Sequence, residues 1–267
     1  MKTAFLCSKK IYRNRKQIKM LSNPLPGVEI GIPLILTQNI FTNLHYDYDI
    51  TTVNNIFTQF CLGYFCYGTD RFLDSLDNKV DIIDRKKILY DYYDKNRPTI
   101  MISLLLSYLY LLYVFQSQNE TIPFEILLTS TLLYKPFKQN YGEFKAFYLA
   151  LLWTTASVII PCVTHDHNYE IFKYPLDYLP CFFSIYGGTT IGDMLDIEED
   201  KSNNITTIPV RFGSKKAYTL VLFSITLSNF LITLNPNFSH RFFINSLFEI
   251  QNTGTLLIPF FQNISLT

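Results

Sequence analysis

The sequence predicts an all-α protein, a polytopic transmembrane helical bundle. Three observations predict it. The 267 residues are 48% hydrophobic and 16% aromatic but only 17% charged, below the roughly 25% usual for soluble domains. The apolar residues are gathered into repeated runs close to the ~20 residues a spanning helix needs. And 21 of the 23 Lys and Arg fall in four segments that alternate with pairs of those runs.

Residues 1–28 hold seven Lys or Arg and no acid. That composition suits a basic N-terminal tail on the side of a membrane that retains positive charge, or an organelle-targeting segment. Residues 29–267 read as one membrane domain. Its candidate spans are Ile30–Leu44, Val53–Thr69, Thr99–Phe115, Phe124–Phe137, Ala146–Val163, Leu176–Ile191, Ala217–Leu234 and Phe242–Phe261. With the N-terminus inside and eight crossings, the inside segments are 1–28, 68–98, 135–145 and 194–216. Only Lys173 and Arg241 then fall outside. Positive charge resists translocation, so this bias supports the parity of the crossings. The long inside segment 68–98 is mixed in charge, and Ile82, Ile83 and Leu89 suggest a helical piece within it.

A net charge of +1 gives no overall field toward nucleic acid, and none is expected as a partner. The five cysteines are odd in number and form no CxxC pair. They read as small buried hydrophobes, not as a disulfide framework or a zinc site.

Against this apolar background two acidic groups stand out. In IGDMLDIEED, residues 191–200, five acids fall within eight positions. On a continuous helix Asp193, Asp196 and Asp200 share a face. Adjacent carboxylates repel unless a cation sits among them, and Mg²⁺ takes oxygen ligands together with substrate phosphates. A solvated loop face is the plainer alternative. The stretch CYGTDRFLDSLDNKVD repeats the arrangement with Asp70, Asp74 and Asp77, again directly after an apolar run. The charge-derived topology puts both groups on one side, where two opposed carboxylate faces would cage a metal ion and a diphosphate. Carboxylates at the mouth of a span are costly enough to suggest a function.

These motifs resemble those of the UbiA superfamily of membrane prenyltransferases. Asp193, Asp196 and Asp200 match its DxxDxxxD motif, and TIPVRFG at 207–213 matches the tail that follows. Asp70 and Asp74 match the other motif, NDxxDxxxD. The Arg97-Pro98 pair, the YxxxK element at Tyr134 and Lys138, and the order of the spans complete the likeness over roughly residues 30–234. The resemblance implies a UbiA-type bundle of eight to nine spans around a lipid-open cavity. It implies Mg²⁺-dependent transfer of a prenyl group from a prenyl diphosphate to an aromatic or other lipophilic acceptor. Asp70, Asp74, Asp196 and Asp200 would act at the metal, with Asp193 beside them. Tyr134 and Lys138 would bind the diphosphate, and Arg97, Lys201 and Arg211 would be further cationic contacts. The protein would then be integral to a lipid membrane, with its N-terminus and both acidic loops on the cytoplasmic, stromal or matrix side.

Cys66 and Tyr67 stand where the family carries Asn and Asp. That motivates an alternative, a UbiA fold that binds prenyl lipid or diphosphate without transferring it. A cation-binding transporter is a further alternative, and the scarcity of ionisable residues at the centres of the runs counts against it.

Overall fold

The computed structural model describes residues 53–76, 92–117, 121–160, 173, 175–235 and 250–258. Among them every regular element is helical. The main helices are α1 (Val53–Ser75), α2 (Arg97–Ser117), α3 (Thr121–Asn140), α4 (Lys145–Thr154), α5 (Leu179–Leu195), α6 (Ile197–Ser202), α7 (Ile208–Phe212) and α8 (Ser214–Leu234). Residues 250–258 are helical as well.

Six of the eight apolar runs coincide with helices in the order expected. Ile30–Leu44 lies outside the described residues, as do the tail 1–28, Asp77 and the 82–89 piece. The run Phe242–Phe261 is described only over 250–258. Two of the described helices, α2 and α8, are long and apolar enough to cross a membrane. Two other helices carry local irregularities. Helix α3 carries Pro136 inside it; proline has no backbone N–H to donate, which weakens the helix there. Helix α4 passes into a π-helical turn at Thr155–Ile159.

Two of the core clusters among the described residues hold the helices that carry the acidic groups. Around α1, α2 and α3, Cys61, Leu62, Phe65, Leu111, Phe115, Phe124 and Leu127 pack together, and Ala156 and Ile160 close the cluster from the end of α4. The Phe115 and Phe124 rings stack with centroids 4.9 Å apart. In the second cluster Ile191 of α5 packs on Val221 and Ile225 of α8. Helices α3 and α4 follow each other through the short turn Gly142–Phe144 and join the two clusters. The outward faces of α2 and α8 are apolar. Leu105, Leu106, Leu109 and Tyr113 are exposed on α2, and Phe223 and Phe230 on α8.

One local expectation is corrected. Asp193, Asp196 and Asp200 do not lie along one uninterrupted helix. The chain leaves α5 at Asp196, where φ is −106° and ψ 10°, and restarts as α6. The backbone N–H of Asp196 bonds the Asp193 carbonyl at 3.2 Å, in a tightened last turn.

Candidate functional site

Both acidic groups line one cavity of about 1270 Å³. Asp70 and Asp74 come from the end of α1. Asp193 ends α5, Asp196 forms the corner, and Asp200 lies on α6. Tyr134 and Lys138 of α3 and Lys145 of α4 complete the polar mouth. The cavity also touches Leu62, Leu152, Trp153 and Ala156. At 1.5 Å per helical residue these lie about 10–17 Å from the charged ends of their helices. The space therefore has a charged mouth and an interior that mixes these apolar side chains with hydroxyls such as Ser157, Ser184 and Thr189.

The charges in the mouth are paired across the chain. The Lys138 ammonium donates to both carboxylate oxygens of Asp74 at 2.8 Å and lies 3.5 Å from Oδ1 of Asp70. The Lys145 ammonium lies 2.7 Å from Oδ1 of Asp193 and 3.7 Å from Oδ1 of Asp200. Tyr134 sits between the two groups, within electrostatic reach of Asp70, Asp74, Asp193 and Lys145. Its ring centroid is 5.4 Å from the Lys138 nitrogen. Close to α1, Lys135 donates to the Leu73 carbonyl at 2.7 Å and ties the end of α1 to α3.

Local sequence explains how Lys145 reaches the second group. Gly142 opens the turn before α4, and a Cβ there would lie 2.9 Å from the Thr206 carbonyl oxygen. Only glycine lets this turn sit directly on the 205–207 strip. That strip is bound in turn to Asp200: the Ile205 N–H bonds the Asp200 carbonyl at 2.8 Å, and the Thr207 hydroxyl donates to Asp200 Oδ2 at 3.2 Å. Asn204, which enters the strip, has φ of 56°. That is left-handed backbone, which asparagine tolerates better than most residues. It does conformationally what a glycine would do there. Burial pushes the Asp200 carboxyl up to about 6 despite the neighbouring Lys145, with Asp193 and Asp196 adding to the rise.

Three residues named from sequence stand apart from this wall. Arg97 pairs with Asp94 at 2.7 Å. Lys201 lies 3.4 Å from Glu198 on the exposed side of α6. Arg211 bonds Glu143. None of the three lines the cavity. Sequence reasoning in turn missed Lys145, which counted only as one more inside charge, and Thr207, which lay within the matched tail. The only sequence signal for Lys145 was its place seven residues after Lys138.

The donor set suits a hard cation in one respect. Among the described residues no three His, Cys, Asp or Glu side chains form a ready metal site. Mg²⁺, however, is ordinarily held by one or two carboxylates with substrate phosphates and water completing its shell. Asp70 and Asp196 on the cavity wall are carboxylates of the kind that mode uses, and both oxygens of Asp74 are bonded to Lys138. Cys66 also lines the cavity, and its sulfur accepts from the Thr131 hydroxyl at 3.4 Å; as a soft donor it adds nothing for Mg²⁺.

Comparison with known families gives one match. The model of the VviA prenyltransferase family covers residues 129–247. The matched stretch carries Tyr134, Lys138, Lys145, the second acidic group and α8, and it stops short of Asp70 and Asp74. No curated protein and no solved structure matches the chain.

Proposed function

From the prenyltransferase likeness of residues 129–247, we propose that this protein is an integral-membrane prenyltransferase of UbiA type. It moves a prenyl group from a prenyl diphosphate to an aromatic or other lipophilic acceptor. The observation that carries the reading is that carboxylates and lysines from both acidic groups line the mouth of one cavity, with Leu62, Leu152, Trp153 and Ala156 among the residues behind them. A molecule with a highly charged head and a long apolar tail fits that polarity.

The reaction asks little covalent chemistry of the chain. Asp70, Asp74 and Asp196 are the carboxylates on the cavity wall that would hold Mg²⁺ together with phosphate oxygens of the substrate. Bound there, Mg²⁺ would neutralise charge on the departing diphosphate as its allylic C–O bond ionises. Lys138, now bonded to Asp74, would share its donors with the diphosphate oxygens. Such preorganised charge is commonly the largest catalytic contribution. Leu62, Leu152 and Trp153 would enclose the isoprenoid tail and keep water from the allylic cation. Holding the acceptor against the allylic carbon is the remaining, positional part.

The membrane setting is supported by the apolar faces of α2 and α8 and by the one-sided distribution of Lys and Arg. On this reading the N-terminus and both acidic loops would lie on the cytoplasmic, stromal or matrix side of a multi-pass bundle of eight to nine spans. Cys66 on the cavity wall supports a second reading, a diphosphate binder that no longer transfers. Purified protein incubated with Mg²⁺, radiolabelled geranylgeranyl diphosphate and a panel of aromatic and lipid acceptors, with label followed into the acceptor, separates the two. Mg²⁺-dependent transfer of label, lost in Asp74→Ala, is the expected result. Binding without transfer favours the second reading, and neither binding nor transfer removes both.

A further inference from the structure

Two walls of the cavity differ in kind. One is apolar and bulky, with Leu62 of α1, Leu127 of α3, and Leu149, Leu152 and Trp153 of α4. The other is the face of α5 that carries Ser184, Gly188 and Gly192 at successive turns, with Gln251 and Thr255 of the 250–258 helix also on the lining. Glycine weakens a helix interior relative to alanine, so each glycine here asks for a reason. Packing supplies one for Gly187, which does not line the cavity: a Cβ there would lie 2.9 Å from Ile225. At Gly188 a Cβ would meet Thr255 at 4.0 Å, and at Gly192 it would meet no described atom within 4 Å. The fold has room for a side chain at both. Their absence leaves the α5 backbone bare toward the cavity, directly beside Asp193.

A second observation lies further in. Ser157, in the π-helical turn Thr155–Ile159, lines the cavity and is fully buried, and its hydroxyl has no hydrogen-bond partner among the described residues. Other helical serines of this chain return the hydroxyl to a carbonyl three or four residues back, as Ser103 and Ser224 do. A buried hydroxyl left unmet is costly, and π-turns recur at functional sites. The Ser184 hydroxyl donates to Asn252 Oδ1 at 2.6 Å, so its oxygen can still accept. By helical rise Ser184 lies about 14 Å from Asp193, and Ser157 about 18 Å from Lys145. The cavity is charged at its mouth and neutral but hydrogen-bonding at its far end.

We propose that the α5 wall is the acceptor subsite: a flat ring lies over Gly188 and Gly192, and an oxygen at the acceptor's remote end bonds Ser157. This deepens the prenyl-transfer reading above and rests on it. The bulky wall suits the flexible isoprenoid tail. The glycine wall suits a ring, because bare backbone lets it lie close to α5 and next to the acids, where the diphosphate and the allylic carbon bonded to it would sit. A prenyl tail has no oxygen to offer Ser157, whereas an acceptor can carry one. The acceptor class is a ring-bearing lipid with a hydroxyl or carbonyl far from the reacting atom.

Two fluorescent probes that differ only at the remote end test this, 6-heptyl-2-naphthol and 6-(7-hydroxyheptyl)-2-naphthol. Full-length protein in lipid nanodiscs, with Mg²⁺ and the non-reactive geranylgeranyl thiodiphosphate, is titrated with each, and naphthol emission above that of protein-free discs gives Kd without any turnover. Partition into lipid is common to all variants, so the readout is the ratio of the two Kd values. Ser157→Ala is expected to shift that ratio against the hydroxylated probe by about five- to tenfold, the scale of one buried hydrogen bond. Gly192→Leu and Gly188→Leu are expected to weaken both probes at least about tenfold by filling the subsite, while the thiodiphosphate binds within about twofold of wild type. An unchanged ratio in Ser157→Ala overturns the inference, as do leucine variants that bind both probes like wild type, and in both cases prenyl transfer stands. Wild type that binds the thiodiphosphate but neither probe overturns it too. Wild type that does not bind the thiodiphosphate removes the prenyl-transfer reading and this inference together. If a leucine variant does not fold, Gly192→Ala, which a helix prefers to glycine, decides: weaker binding of both probes supports the subsite, and unchanged binding overturns it.

Discussion

The Asp70–Asp74 end of α1 and the Asp193–Asp200 corner after α5 are built from the same residue types, and the fold treats them differently. At the first, a lysine from the next helix but one spans two partly open carboxylates. At the second, a lysine from the neighbouring helix is enclosed with its partners, and a threonine takes the remaining oxygen. The difference teaches that an acidic motif alone does not define a metal site. What sits opposite each carboxylate decides whether its charge is available to a ligand.

If the first group is the open one, removing its charge should cost function most. Asp74→Ala is expected to lower Mg²⁺-dependent prenyl diphosphate turnover by about 10²–10³-fold, the scale for losing one preorganised charged contact, with little change in the unfolding midpoint. Asp70→Ala should fall in the same range, read in the diphosphate-release assay.

If the second group is the enclosed one, its lysine should matter most for stability. Lys145→Met leaves Asp193 buried without its counter-ion, and breaking such a pair costs about 3–5 kcal/mol. Lys138→Met should cost less, because the Asp70 and Asp74 side chains are 15% and 17% exposed against 4% and 7% for Asp193 and Asp200. Reversible unfolding in mixed detergent micelles gives both numbers, and equal losses would erase the distinction between the two settings.

The comparison can be sharpened with pH. The Asp200 carboxyl titrates in the folded chain at about 6, against an ordinary value near 3.9. A raised carboxyl means that the folded state binds the proton more tightly than the unfolded state. The contribution of this group is therefore fully present below about pH 4 and is lost as pH rises through about 6. Asp200→Asn cannot ionise. Its unfolding free energy, compared with wild type between pH 4 and 7, should lack a decline of roughly 3 kcal/mol. An unchanged pH slope would mean that Asp200 is not held in this environment.

Smaller effects belong to the periphery. Asn204→Val forces a β-branched residue into left-handed backbone and is expected to cost about 1–2 kcal/mol, whereas Asn204→Gly should be close to neutral. Lys201→Ala and Arg211→Ala remove exposed pairs, worth about 0–1 kcal/mol. Each should change turnover less than about threefold if, as their positions indicate, neither touches the cavity.

Much of this architecture was legible in the chain. Helix positions followed from apolar runs, because burial and lipid both demand contiguous apolar length. The meeting of Asp70 and Asp74 with Asp196 at one mouth followed from the one-sided placement of basic residues. Lys138 was legible only through the resemblance of Tyr134 and Lys138 to a family element. Lys145 was not, because its role depends on the turn at Gly142 packing against residues more than sixty positions away, and no local pattern encodes that contact. The break at Asp196 was equally hidden. An i, i+3, i+7 spacing reads as one face only while the helix continues, and here the chain turns at the middle carboxylate. Arg97, Lys201 and Arg211, expected as further cationic contacts, do not line the cavity. Their nearest acids, Asp94, Glu198 and Glu143, meet them away from the cavity.

The central claim is that one diphosphate-bearing ligand is held by both acidic groups at once. A double-mutant cycle on Asp74→Asn and Asp196→Asn, read as Mg²⁺-dependent affinity for a non-reactive geranylgeranyl thiodiphosphate, tests it directly. The account predicts coupling of at least about 1 kcal/mol, because residues sharing one ligand lose it together. Effects that add to within about 0.5 kcal/mol, or an Asp196→Asn variant that binds as well as wild type, would contradict it.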